Sequence, residues 1–298
     1  MKKKVFKAVI PAAGFGTRML PFTKAVPKEL IPLVDTPVLE YVVQEAVDAG
    51  VTEILLIISP GKEAIREHFS AVPALADRLA GSGKKDLLKK ITAFDGKVNI
   101  SYAYQYEQKG LGDAVRLAAD FAGNDPVLIL LGDTVMDSFT ERSVSAQLVD
   151  VYRDFGGAVI ALEKVPPELV SRYGIASGRE IAAGVLKLEK LVEKPALEDA
   201  PGDDAVAARY LLTPEIFRLL QDAEAGLHGE IQLTDSIAKL MKKENVYGCR
   251  IFGRRYDLGS AAGFVAANVE FALRRPDLQD SLGGKIVEIL KKQSIKVQ

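Results

Sequence analysis

The chain has 298 residues, 48% of them hydrophobic and 27% charged, with a formal net charge of −1. That is an ordinary soluble globular composition with room for a sizeable core. So balanced a charge excludes a surface built to coat nucleic acid or anionic membrane, and any anionic ligand has to be met by a local cluster of Lys and Arg.

The N-terminus, Met1-Lys2-Lys3-Lys4-Val5-Phe6, is basic but lacks the apolar core and small-residue cleavage site of a signal peptide. Val5–Ile10 is a short apolar run that predicts a strand ending at Pro11. A glycine-rich loop follows, and Thr36-Pro37 opens a helix with proline at its first position. Val38, Leu39, Val42, Val43, Ala46 and Val47 recur at helical spacing, and Gly50 stops the helix. Ile54–Ile58 predicts a second strand and Lys62–Phe69 a helix. Gly81–Asp86 is polar and predicts a surface loop. Val98–Tyr104 and Val127–Leu131 predict further strands, with a helix over Asp113–Phe121 between them. Strands apolar on both faces that alternate with helices imply a parallel sheet covered on both sides.

The second half is more mixed. Ala158–Leu162 predicts a strand, and Val185–Val192 alternates apolar with charged residues as a half-exposed strand does. Leu197–Asp204 predicts a surface loop. Helices are expected after Thr213-Pro214 and after Thr234-Asp235, with a strand over Val246–Phe252. Val265–Leu273 and Lys285–Lys292 predict closing helices. The longest apolar run, Ile54–Ile58, is far too short to span a bilayer. Cys249 is the only cysteine, which leaves no intrachain disulfide and no cysteine-based metal site, and fits a reducing cytosol.

The glycine-rich loop reads Pro11-Ala12-Ala13-Gly14-Phe15-Gly16-Thr17-Arg18-Met19. Glycines let backbone N–H groups approach an anion closely. The dinucleotide fingerprint needs a third glycine where Met19 stands, and the P-loop ending Gly-Lys-Ser/Thr is absent. Arg18, Lys24 and Lys28 follow in a segment broken by Pro21 and Pro27. Such a segment is not a helix with a solvated basic face. It is a loop able to fold its cations back over the glycines, which suits a triphosphate.

Gln105, near the end of a strand, carries an amide that both donates and accepts, as a nucleobase edge requires. A plain polar loop accounts for the same stretch. Asp133 follows the buried strand at Leu130-Leu131-Gly132, where open α/β sheets bind ligands. A hard carboxylate there suits Mg²⁺ bridging phosphates, more so for Asp133 than for Asp137. Asp257 repeats the pattern, as a second metal ligand or a cap for the next helix. In Glu193-Lys194-Pro195, the end of a strand before proline can aim both side chains at one ligand, although an exposed ion pair is a common alternative. His68 in a charged helix and His228 in a Gly-rich turn do not read as catalytic, and there is no Gly-x-Ser-x-Gly elbow. Phosphoryl-type transfer needs neither a protein nucleophile nor a protein base, because positioning and charge neutralisation supply most of its catalysis.

Lys7–Pro21, with Lys24 and Pro27-Lys28-Glu29-Leu30, resembles the bacterial UTP–glucose-1-phosphate uridylyltransferases, or UDP-glucose pyrophosphorylases. Gly229-Glu230-Ile231-Gln232-Leu233-Thr234-Asp235 is a second stretch typical of that family. The resemblance covers nearly the whole chain. It implies a Rossmann-like α/β nucleotidyltransferase fold with a mixed, mostly parallel central sheet flanked by helices. One domain would cover 1–298, with a nucleotide half to about 140, a sugar-phosphate half over about 141–262 and C-terminal helices beyond.

Residue by residue, the resemblance implies that Ala13, Gly14, Gln105 and Gly110 hold the uracil. Gly16, Thr17, Arg18 and Lys28 would hold the UTP phosphates, and Asp133 and Asp257 would ligate Mg²⁺. Gly174, Glu193, Lys194 and Tyr210 would hold glucose 1-phosphate. Arg18, Lys28, Asp133 and Lys194 are the expected catalytic set. A cytoplasmic homodimer or homotetramer, with no nucleic acid or membrane partner, is also implied. The chain departs from the family where Gly132 replaces a frequent Pro, where Asp113 replaces a frequent His, and over Ala71–Asp95, which matches loosely. The alternatives are a thymidylyltransferase or other hexose-1-phosphate nucleotidyltransferase, and a non-catalytic nucleotide-sugar-binding regulator. Uracil and thymine differ by one methyl, worth about 1–3 kcal/mol in a pocket.

Overall fold

The computed structural model describes residues 2–226 and 229–293, so His228 lies outside the described residues. β1 is Lys7–Pro11, followed by 3-10 turns at Thr17–Met19, Phe22–Lys24 and Lys28–Leu30. A two-residue ribbon, β2 (Pro32–Leu33) with β3 (Thr36–Pro37), leads into α1 (Val38–Asp48). Next come β4 (Glu53–Ile58), α2 (Glu63–His68), α3 (Pro73–Gly81), α4 (Lys85–Ile91) and β5 (Asn99–Tyr104). Then follow α5 (Leu111–Arg116), α6 (Ala119–Ala122), β6 (Val127–Leu130), β7 (Thr134–Ser138) and α7 (Val144–Phe155). The later strands are β8 (Ala158–Lys164), β9 (Gly174–Ala182), β10 (Val185–Glu193) and β11 (Asp204–Leu212). They are followed by α8 (Glu215–Gln221), α9 (Leu233–Leu240), β12 (Val246–Arg250), β13 (Gly253–Asp257), α10 (Ala261–Leu273) and α11 (Pro276–Lys292).

One nine-stranded sheet runs through the described residues in the order β5-β4-β1-β6-β11-β8-β12-β10-β9. β5, β4, β1 and β6 are parallel to one another, as are β8 and β12. β11 and β10 run opposite to the other seven strands, and β9 pairs antiparallel with both. The sheet is therefore mixed and mostly parallel in strand direction, as expected.

Alternation along each strand sends successive side chains to opposite faces. Val9, Ile57 and Ile129 join a core with α5, α8 and α9. Ala8, Ile10, Leu56, Leu128 and Leu130 join a second core with α1 and α7 on the other face. Burial on both faces explains why β1, β4 and β6 are continuous apolar runs without polar alternation.

Several expectations change in detail. α1 begins at Val38, one residue later than the proline implied, because Pro37 belongs to the small ribbon. The helix expected over Asp113–Phe121 is two pieces, α5 and α6. Gly81–Asp86 is not one loop: α3 ends at Gly81 and α4 begins at Lys85, and neither helix buries a residue. Their weak apolar pattern follows from that exposure. Leu197–Asp199 makes one 3-10 turn, and the strand after it, β11, begins at Asp204. β12 stops at Arg250, short of Phe252. α7, β7, β9, β11 and β13 had no counterpart in the apolar pattern. Among the described residues no helix is long and apolar enough to cross a membrane.

Candidate active site

The glycine-rich loop leaves the C-terminal end of β1, where Ala12 N donates to Ile57 O at 2.7 Å. Behind the loop stands a buried lysine that the sequence reading missed. Lys62 Nζ donates to Ala12 O and Gly14 O, each at 2.7 Å, and to the Glu29 carboxylate at 2.8 and 2.9 Å. Burial pushes the Glu29 carboxyl up and the Lys62 ammonium down, and their mutual attraction opposes both shifts. A trans peptide points its N–H opposite its C=O. Fixing the Ala12 and Gly14 carbonyls on Lys62 therefore turns the Ala13 and Phe15 N–H groups the other way.

The cations fold back over the loop, as expected, but not all of them. Gly16 has φ +69° and packs so closely that a Cβ there would lie 3.2 Å from both Lys28 Cβ and Thr23 Cγ2. Thr23 Oγ1 donates to Gly16 O at 2.8 Å, which closes the turn beside the exposed Thr17. The Lys28 ammonium lies beside Gly14 and reaches the Asp133 carboxylate at 2.5 Å. Burial works against both charges, yet each is held by the other: Lys28 is raised above the ordinary lysine value and Asp133 lowered below the ordinary aspartate value. Arg18 instead packs over Gly259, 4.0 Å from Asp257. Lys24 is exposed.

Asp133 and Asp257 come together through a ribbon that is separate from the main sheet. β7 pairs antiparallel with β13, and Thr134, next to Asp133, lies opposite Asp257. Asp257 Oδ1 accepts from Gly259 N at 2.9 Å, so the turn-capping role and the site position coexist. Asp137, further along β7, is paired with Arg274 at 2.8 Å. Two carboxylates with open space in front of them fit a hard cation such as Mg²⁺, which takes one or two protein carboxylates and completes its shell with water and phosphate oxygens. Among the described residues no cluster of three metal-ligating side chains offers an all-protein cage.

The loop that carries Asp133 is clamped from below by Arg209, the largest fully buried side chain. Its guanidinium donates to Thr134 O at 2.8 Å and Leu131 O at 3.5 Å, on either side of Asp133, and pairs with Glu45 of α1 at 2.8 Å. Ser145 Oγ donates to the same Glu45 carboxylate at 2.6 Å. A bulge in β11, with Ala208 at φ +57°, places Arg209 there.

Two adjoining cavities meet at Asp133. The smaller, about 270 Å³, is lined by Ala13, Gly14, Lys28, Gln105 and Gly110. Gly110 has φ +103°, and a Cβ there would come within 2.8 Å of Ile231 O, so only glycine fits. Gly112 N donates to Ile231 O at 2.8 Å and Ile231 N to Lys109 O at 2.7 Å. These bonds join the Gln105 segment to the stretch Gly229–Asp235.

The larger cavity, about 750 Å³, is lined by Gly174, Glu193, Lys194, Tyr210, Asp133 and Asp257. Gly174 and Glu193 are cross-strand partners on β9 and β10. Thr234 Oγ1 donates to Glu193 Oε2 at 2.7 Å and orients that carboxylate. Lys194 has φ +44° and donates its N–H to Tyr173 O at 3.1 Å, which turns its side chain toward the cavity that Glu193 also faces. Burial, with Glu193 nearby, raises the Tyr210 phenol far above its ordinary pKa, so it stays a neutral donor. Arg255, missed in the sequence, lines the same cavity, ion-paired with Glu163 and stacked 4.1 Å over the Tyr173 ring. His68 contacts Glu40 at 2.8 Å and lines neither cavity.

The nucleotidyl transferase family pattern matches residues 7–273. A UTP–glucose-1-phosphate uridylyltransferase of Staphylococcus epidermidis is 42% identical over 96% of this chain and 99% of its own length. One from Bacillus subtilis is 41% identical over 98% of this chain and its full length. The solved UTP-bound UDP-glucose pyrophosphorylase of Acinetobacter baumannii superposes with a TM-score of 0.88 at 34% identity, covering 96% of this chain and 99% of that one. A UDP-glucose pyrophosphorylase complexed with UDP-glucose gives 0.85 at 35% identity, covering 91% and 100%. The chain therefore belongs to the nucleotidyltransferase family, within its UTP–glucose-1-phosphate uridylyltransferase branch.

Proposed function

We propose that this protein transfers a uridylyl group from UTP to glucose 1-phosphate, releasing pyrophosphate and UDP-glucose. The observation that carries this reading is the meeting of two cavities at Asp133, with Lys28 at 2.5 Å on that boundary. A donor and an acceptor can thus be bound on either side of one charged centre.

Ala13, Gly14, Gln105 and Gly110 would hold the uracil in the smaller cavity. Gly16, Thr17, Arg18 and Lys28 would hold the triphosphate, Lys28 leaving part of its hold on Asp133 to do so. Glu193 would accept from glucose hydroxyls, oriented by Thr234, while Gly174 gives the sugar room. Lys194 and Tyr210 would donate to the sugar phosphate. Asp133 and Asp257 would hold Mg²⁺, which when bound neutralises phosphate charge and aligns the triphosphate.

The sugar phosphate is already ionised near neutral pH, so no general base is needed. Its oxygen bonds to the α-phosphorus while the bridging oxygen to the β-phosphorus departs with pyrophosphate. Lys28 and Arg18 would offset the charge on the leaving group, and positioning supplies the remainder. We take the chain as one domain whose halves flank this cleft, acting as a cytoplasmic homodimer or homotetramer without nucleic-acid or membrane partners. The continuous nine-stranded sheet supports the single domain, and analytical ultracentrifugation checks the assembly.

With Mg²⁺, UTP and glucose 1-phosphate, the purified protein should release pyrophosphate. Release with dTTP but not UTP would overturn the base assignment. No release with any nucleoside triphosphate across a panel of sugar phosphates would overturn the enzyme.

A further inference from the structure

We propose that Asp113 is a specificity-determining residue that locks the Gln105 amide in one orientation and thereby selects uracil over cytosine. The proposal rests on the reading that Gln105 faces the base.

Gln105 is buried, and its backbone is fixed by Gln105 N donating to Ile58 O at 2.8 Å. Its Nε2 donates to Asp113 Oδ2 at 2.8 Å and to Gly110 O at 3.3 Å. The orientation of an amide follows from its partners. A backbone carbonyl only accepts, and Asp113, ion-paired with Arg116, offers only acceptors. The NH₂ end must therefore face them. Both N–H groups are then committed to the protein. Among the described residues the Oε1 end accepts no hydrogen bond and no buried side-chain oxygen is left without a partner, so Oε1 is open to the cavity that Gln105 lines.

A fixed acceptor distinguishes the two pyrimidines. Uracil carries a donor at N3, whereas cytosine carries an acceptor there. A carbonyl opposite N3 bonds to uracil and repels cytosine. A glutamine free to turn its amide over would offer a donor instead and serve cytosine equally. Asp113 touches no base in this scheme. It acts through Gln105, and Arg116 holds its second oxygen in place.

The test measures kcat and KM for UTP and CTP, by pyrophosphate release with glucose 1-phosphate, in the wild type and in Asp113→Asn. Asparagine keeps the shape but presents an NH₂ group that can donate to a turned-over Gln105 Oε1. The ratio of kcat/KM for UTP to that for CTP should fall by about tenfold or more, the scale of one charge-assisted hydrogen bond. The change should lie in the nucleotide KM, while the KM for glucose 1-phosphate stays at its wild-type value. Asp113→Glu, which restores an acceptor-only side chain, should recover part of the discrimination. An Asp113→Asn enzyme that folds and keeps the wild-type ratio overturns the proposal, as does an equal loss for both nucleotides.

Gln105→Leu separates this from the underlying reading. If it raises the KM for UTP while Asp113→Asn leaves the ratio unchanged, the lock alone fails. If it leaves every nucleotide KM unchanged, Gln105 does not meet the base and the reading beneath the proposal fails.

Discussion

The two cavities that meet at Asp133 are assembled in different ways. The smaller draws on the glycine-rich loop, Lys28-Glu29, the stretch from Gln105 to Ala114, the strand end at Leu131 and Asp133, and Glu230. The larger takes Gly174, Glu193, Tyr210, Thr234 and Asp257 from five separate elements. The smaller cavity is thus built from loops and element ends joined by backbone hydrogen bonds such as Gly112 N–H to Ile231 O. The larger needs side chains from several strands, held in register by the sheet and the β7–β13 ribbon. The boundary belongs to both, and Arg209 and Glu45 hold it from beneath.

Changes at the boundary should damage both cavities, and changes in one should spare the other. The largest effect is expected from Glu45→Ala, which leaves the Arg209 guanidinium buried without its partner. We expect a loss of about 3–5 kcal/mol in urea unfolding. Because Arg209 also clamps the carbonyls on either side of Asp133, turnover and both KM values should worsen together. A change in only one KM would show that the clamp does not serve the shared wall.

Asp133→Asn comes next, with kcat falling by about 10²–10³-fold while the fold survives in circular dichroism. Near-normal turnover would remove Asp133 from the chemistry and leave the cavities without a common centre. Thr234→Val should be smaller and one-sided. Losing the hydroxyl that orients Glu193 should raise the KM for glucose 1-phosphate by about fivefold, one ordinary hydrogen bond, with the KM for UTP unchanged.

The smallest effect concerns pH. The folded pKa of Asp133 lies below 3.8, so its contribution to stability is present above that value and lost as pH falls through the folded pKa. That of Lys28 lies above 10.5, so its contribution is present below that value and lost as pH rises through the folded pKa. In Lys28→Met the buried Asp133 carboxyl loses the partner that lowers it, so the difference in unfolding free energy from wild type should widen as pH rises above 3.8 and then level. A difference that stays flat from pH 3.8 upward would mean that other groups hold the Asp133 charge.

Much of this protein is determined along the chain. The apolar runs of β1, β4 and β6 read as buried parallel strands because both their faces are covered, and continuous apolarity leaves no other stable placement in water. The glycine-rich loop excluded a dinucleotide fingerprint at Met19, and its prolines broke any helix that would have kept the cations apart. Lys28 and Asp133 carried local signatures, a proline-broken basic loop and a buried strand end, whereas Gln105 and Gly110 were given a role only by the resemblance.

The tertiary structure decided the rest. β11 escaped notice because Asp204 and Arg209 interrupt its pattern, although all nine of its residues are buried. A lone arginine in the apolar run Ala205–Leu212 was the available signal, since such a charge survives only with a partner. That partner, Glu45, lies 164 residues away, and no local pattern can name it. Lys62 was hidden in the same way, because its acceptors lie on a loop about fifty positions earlier. The position of Asp257 beside Asp133 follows only from the pairing of β7 with β13, while its oxygen also accepts from Gly259 N. Short-range sterics and hydrophobic burial act between neighbours and are written in sequence order. Buried charge pairs, strand registers and the orientation of the Gln105 amide depend on which distant groups the fold brings within hydrogen-bonding reach.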